Sequence, residues 1–135
     1  SNIELSWAVK AYKHAEVHLN LIKAIPDCTK LKLTNIDEEI YQEFSKIFPD
    51  LKLISFTEDD IKVPEEKEKW RQFCNNYEGL VNDFNMATLL RLDARKGYDE
   101  QNTCIVPRIQ FLAIEIARNM KKLNDRSLLP EEPVN

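Results

Sequence analysis

Glycine is almost missing from this 135-residue chain, which has only Gly79 and Gly97. Loops that cradle phosphate need glycine where the backbone turns tightly and closes on its ligand. Neither glycine belongs to a P-loop or a Gly-x-Gly-x-x-Gly pattern, and Gly-x-Ser-x-Gly is absent. An ordinary nucleotide-binding or serine-hydrolase enzyme is therefore not expected. Cysteine is sparse: Cys28, Cys74 and Cys104 are far apart, odd in number and without Cys-x-x-Cys spacing. A reduced, intracellular chain follows more simply than a disulfide scaffold. No apolar run approaches the roughly 18 residues of a membrane helix, and no signal peptide opens the chain. Neither insertion nor secretion is expected. Excess positive charge is missing too, since the net charge is -4, which argues against DNA or a nucleic-acid surface covering the whole fold. The opening Ser1-Asn2 lacks an initiator Met, so further terminal segments are expected.

What is present is ordinary for one domain, with 43% hydrophobic and 31% charged residues. A chain near this length buries about 68 to 70% of the surface its unfolded form exposes. Residues 1–127 read as a single domain and residues 128–135, with two prolines, as a flexible tail. Ile3, Trp7, Ala11, His14, His18, Leu21 and Ile25 recur at helical steps up to Pro26. Asn35 is the expected N-cap of a second helix through Ile36, Ile40, Phe44, Ile47 and Phe48. Leu51 to Thr57 reads as a strand, and Thr57 and Val63-Pro64 read as helix starts, the latter with Trp70, Phe73, Cys74, Tyr77 and Val81 on one face. Asp83 to Asp93 alternates like a strand pairing with Leu51 to Thr57, although Leu80, Phe84, Ala87 and Arg91 leave a helix open. After a loop through Gly97, Ile105 to Asn124 reads as the final helix. The expected fold class is α+β, helix-dominated, with a small antiparallel sheet.

Signals for chemistry are weak. His14 and His18 have the i, i+4 spacing of two metal ligands, but they share the face of Trp7 and Leu21 and read as core histidines. Cys74 reads as core, and Cys104 is the better candidate for a reactive thiol. The 23 aspartates and glutamates are too many for any pair to signal acid-base catalysis. No cofactor or metal is expected. The last helix says more: Ile109, Leu112, Ala113, Ile116 and Met120 form one apolar face, while Arg108, Glu115 and Asn119 form a column beside Phe111, Ile114 and Arg118. Either the Asp83 to Asp93 segment covers this column, with Glu115 held by Arg108 or Arg118, or a partner docks there.

Several segments together resemble the polysaccharide biosynthesis domain-containing protein 1 family. They are His14 to Val17, Lys32 to Thr34 with Ile40-Tyr41, Lys67 to Arg71 with Phe73-Cys74, and Asp83 to Asn85 with Thr88 to Asp93. Gly97-Tyr98, Asn102-Thr103 and Pro107 to Asn119 complete the set. Gln72, where that pattern has Pro, and His18, where it has Tyr, depart from it, as does the lack of a long charged C-terminal extension. The resemblance implies a non-enzymatic, cytoplasmic chaperone whose partner is the nascent GTP-binding domain of translation elongation factor 1 alpha. Within the matching segments, Asn85, Arg91, Asp93, Tyr98, Arg108, Phe111 and Arg118 are the candidate partner contacts, chosen as polar or aromatic side chains. The alternatives are a sugar-modifying enzyme, as the family label suggests, and a ribosome- or RNA-contacting module in which Lys67, Lys69, Arg71, Arg95 and Lys96 converge.

Overall fold

Local sequence explains most helix boundaries in the computed structural model of the chain, which describes residues 2–130. Helix α1 spans Asn2–Ala24 and ends before Pro26. Helix α2 spans Asp37–Ile47, with acidic residues in its first turn where the helix dipole favours them. Asn35 is not its cap. Ile36 holds that position, and the buried Asp37 carboxylate instead accepts the N–H groups of Leu33 at 2.8 Å and Thr34 at 2.7 Å. Helix α3, Glu58–Lys62, starts in a capping box in which Thr57 and Asp60 each accept the other's backbone N–H. Helix α4, Pro64–Asn75, begins on its proline, whose missing N–H costs nothing there.

The sheet differs from expectation. Strand β1 is only Ala87–Arg91, and it pairs antiparallel with β2, Thr103–Pro107, with Leu89 opposite Ile105. The Leu51 to Thr57 segment forms no strand and meets this sheet at a single bridge, Ser55 to Asp93. Helix α5 therefore starts at Arg108 rather than Ile105. The cause lies at Pro107: a residue before proline avoids the helical region, and Cys104 and Val106 turn inward while Ile105 is exposed, the two-residue period of a strand.

Helix α5, Arg108–Met120, is the centre of the molecule, and residues 109–119 are all buried. Its apolar residues join Ile40, Phe44, Phe48, Trp70 and Phe73 in one core. Phe48 and Trp70 stack with ring centroids 3.9 Å apart. The fold is α+β and helix-dominated, with one two-stranded antiparallel sheet among the described residues. Of the expected tail, Leu128 ends a short 3-10 turn and Leu129 is buried; residues 131–135 lie outside the described residues.

Candidate functional site

The charged column of α5 is covered from within the chain. Strand β1 brings Arg91 across it, so that Arg91, Glu115 and Arg118 are all fully buried. Arg91 donates to both Glu115 oxygens, the shortest contact being 2.9 Å, and Arg118 lies 3.3 Å from Glu115. Asn124 closes the group: its Oδ1 accepts from Arg91 at 2.7 Å and its amide donates to Glu115 and Asn119. The chain reaches back this far because Lys122 adopts a left-handed φ of 61°, and Leu123 N–H returns to the Arg118 carbonyl at 2.8 Å.

Both arginines also bind backbone. Arg118 donates to the carbonyls of Leu53 at 2.8 Å, Arg91 at 2.9 Å and Leu92 at 3.1 Å, fastening the 51–57 segment to the end of β1. Arg91 donates to Ala94 and Lys96 and so shapes the loop after β1. Burial pushes the Glu115 carboxyl upward, but Arg91 and Arg118 outweigh it and hold the group below the ordinary carboxylate range. The cluster is thus an ionised clasp without solvent access, suited to fixing chain segments rather than to turnover.

An aromatic and histidine layer joins α1 to this clasp. The His18 and Tyr98 side chains hydrogen-bond at 2.8 Å, and the rings of His14 and His18 lie edge-on to Phe111 at 5.0 and 5.1 Å. Burial, only partly opposed by Glu115, pushes the His18 imidazole down to about 4. It is neutral at pH 7. Among the described residues no group of three or more His, Cys, Asp or Glu is placed to hold a metal. Cys104, the expected reactive thiol, is buried in β2, and burial pushes it up to about 11, the opposite of what a nucleophilic thiol needs.

The candidate contacts therefore divide. Arg91, Phe111 and Arg118 lie inside the fold, where a partner docking on its surface does not touch them. Arg91, expected as a partner contact, is completely buried. Asp93 is mostly buried, holding Arg95 through two contacts of 2.9 and 3.0 Å and donating its backbone N–H to Asn102. Arg108 is half-buried and donates to the Asn82 carbonyl instead of reaching Glu115. Tyr98 is half-buried and Asn85 exposed. Sequence reasoning missed Asn102 and Asn124, buried amides that tie loops together; an asparagine beside a turn carries no mark of such a role.

It also missed the surface of α1. The helix rests on Ala11, Ala15, His18 and Ile22, one narrow face rotated from the expected one, because the two alanines allow close approach. Leu5, Val9 and Tyr12 recur on another face at 66%, 51% and 67% exposure. That stripe leads into a shallow depression lined by Tyr12, Leu19, Leu89 and Tyr98.

Among the described residues no helix is long and apolar enough to cross a membrane. Compared with known proteins, residues 3–128 match the family model described as PBDC1 protein. A Mus musculus relative named Protein PBDC1 is 50% identical over 123 residues, 91% of this chain and 62% of the relative. The Homo sapiens Protein PBDC1 is also 50% identical, over 91% of this chain and 52% of its own length. The chain thus spans between about half and three fifths of these two relatives. A Saccharomyces cerevisiae Protein PBDC1 homolog is 44% identical over 92% of this chain and 87% of its own. A solution NMR structure of a Saccharomyces cerevisiae protein matches with a TM-score of 0.82 at 44% identity, covering 92% of this chain and 87% of that one. The family that the segment resemblance pointed to is the one these matches give, and the chain belongs to the PBDC1 protein family.

Proposed function

We propose that this domain is a non-enzymatic, cytoplasmic chaperone that holds the nascent GTP-binding domain of translation elongation factor 1 alpha while it folds. The family resemblance supplies the client, and one observation supports the mode: α1 leaves Leu5, Val9 and Tyr12 in solvent on one face. A client that has not finished folding exposes apolar surface of its own, and an apolar stripe on a rigid helix covers such surface without chemistry. The clasp beneath keeps α1 in place through His18 and Tyr98 while remaining closed to the client. Release follows if GTP binding by the client lowers its affinity for the chaperone.

The alternatives have less to support them. Glu115, the carboxylate most tightly held by cations, is fully buried and engaged by two arginines, a poor start for sugar chemistry. Lys67 and Arg71 share a groove that Arg95 and Lys96 do not line, so the basic residues expected of an RNA contact do not gather there. Affinity capture from a translating lysate tests the proposal. The chain should retain newly made elongation factor GTPase domain, and a Val9→Asp, Tyr12→Asp variant with an unchanged circular dichroism spectrum should not. Equal capture by the variant removes the α1 stripe from the site, and no capture by the parent chain overturns the chaperone reading.

A further inference from the structure

The groove on the far side of the sheet has the features of a peptide site. Its volume is about 460 Å³, and it runs between β2, through Ile105, Val106 and Pro107, and α4, through Lys67, Trp70 and Arg71. No residue of β1 lines it, so it lies along the outer edge of β2. Strand geometry says which groups face outward. Leu92 N–H donates to the Asn102 carbonyl at 2.8 Å, so in the register of Leu90 with Cys104 and Thr88 with Val106 the even-numbered residues exchange the ladder bonds. The odd-numbered residues point away. On β1 two of the three outward carbonyls are occupied, Ala87 by the Trp7 indole and Arg91 by Arg118. On β2 the outward N–H and C=O of Ile105 have no partner among the described residues, and the residue is 47% exposed.

Two buried polar side chains add independent evidence. Trp70 is 3% exposed and its indole N–H has no acceptor. Gln110 is 4% exposed and lines the same groove as Trp70, and a buried indole N–H such as that of Trp70 is nearly always partnered. The charged residues lining it are Lys62, Lys67 and Arg71, with no acidic residue among them. Lys62 and Arg71 do pair with Glu58 at 3.0 Å and Glu68 at 2.6 Å, but all four side chains are largely exposed, and pairs of that kind are readily exchanged.

We propose that this groove binds an extended, acidic peptide segment of a partner protein, which adds as a third strand to the outer edge of β2. Main-chain bonds at Ile105 would hold the strand, Trp70 and Gln110 would engage its backbone or polar side chains, and Lys67 and Arg71 would select acidic residues. The site does not depend on the chaperone reading, since it faces the opposite edge of the sheet from the one where Trp7 of α1 bonds β1.

The test is a titration of the isotopically labelled full chain with an alternating Val-Glu octapeptide, followed by NMR. Expected are shifts of the Trp70 indole N–H and the Ile105 amide, slowed exchange of that amide, and weaker binding at high salt. Lys67→Glu with Arg71→Glu, both at exposed positions and checked for an unchanged circular dichroism spectrum, should weaken binding roughly tenfold or more. An octapeptide N-methylated at every residue, with no N–H left to extend the ladder on either edge, should not bind. Equal binding of a Val-Lys octapeptide, retained binding of the N-methylated one, or shifts at these signals with an RNA oligonucleotide alone would each overturn the proposal. So would the absence of any shift at millimolar peptide.

Discussion

Helix α5 is buried on two sides by opposite means. Ile109, Leu112, Ala113 and Ile116 enter a core shared with Phe44, Phe48, Trp70 and Phe73, whereas Glu115, Arg118 and Asn119 enter a hydrogen-bonded ionic clasp with Arg91 and Asn124. Apolar packing is non-directional, so its contacts fail gradually as volume is lost. The clasp is directional and closed to water, so the loss of one member leaves the others charged and unpaired. It persists because its arginines also satisfy backbone carbonyls of three segments. Replacing the ions with hydrocarbon, which often stabilises other proteins, would strand those carbonyls here.

The largest effect should come from Glu115→Ala, which leaves two buried guanidiniums without their counter-ion. A loss of about 3 to 5 kcal/mol is expected, a large share of the roughly 5 to 15 kcal/mol of a typical domain. Urea unfolding followed by circular dichroism measures it. A loss near that of a surface substitution would mean that the clasp contributes no more than an exposed pair.

Next in size is the response to acid. The His18 imidazole lies at about 4 in the fold, below its ordinary 6.5, so the folded protein keeps it neutral. As pH falls below 6.5 the unfolded chain takes up a proton that the folded chain refuses, and stability drops until the pH passes about 4. The slope is at most about 1.4 kcal/mol per pH unit and the total on the order of 3 kcal/mol. A His18→Asn variant, whatever its own stability, should show a flatter dependence between those pH values. An unchanged slope would assign the acid sensitivity elsewhere. On the apolar side, Ile116→Val trims one methylene from a residue that is almost fully buried. Its expected loss is about 0.5 to 1.5 kcal/mol, well short of that for Glu115.

This contrast explains what could be read from sequence. Apolar periodicity reports burial directly, so Trp70, Phe73, Cys74, Tyr77 and Val81 were all legible as core, and the Thr57 and Pro64 helix starts were legible from their caps. The clasp was half legible: Glu115 and Arg118 stood out on α5, but Arg91 read as a candidate partner contact, because alternation in a strand does not reveal which face a later helix will cover. Strand β2 was hidden because Ile105 falls in helical phase with Ile109 and Leu112, so the helix pattern ran on through Pro107. Asn124 was hidden by Lys122, a left-handed turn without the glycine that usually marks one. The exposed apolar stripe on α1 was the least legible part, since exposed leucine and valine at helical spacing look the same in sequence as buried ones.

The smallest effect belongs to a pair that differs from the clasp in little but solvent. Arg95 and Asp93 lie 2.9 Å apart, the same separation as Arg91 and Glu115. Their side chains are 53% and 12% exposed, where those of the buried pair are at zero. Asp93 is held below its ordinary range first by the hydrogen bond from Arg95, yet in Arg95→Ala water can solvate the carboxylate that loses its partner, and the backbone N–H of residue 95 remains as a donor. The urea midpoint should not move measurably, and added salt should not change that result. A shift approaching that of Glu115→Ala would show that solvent access is not what separates the two pairs, and that the geometry of the loop after β1 is.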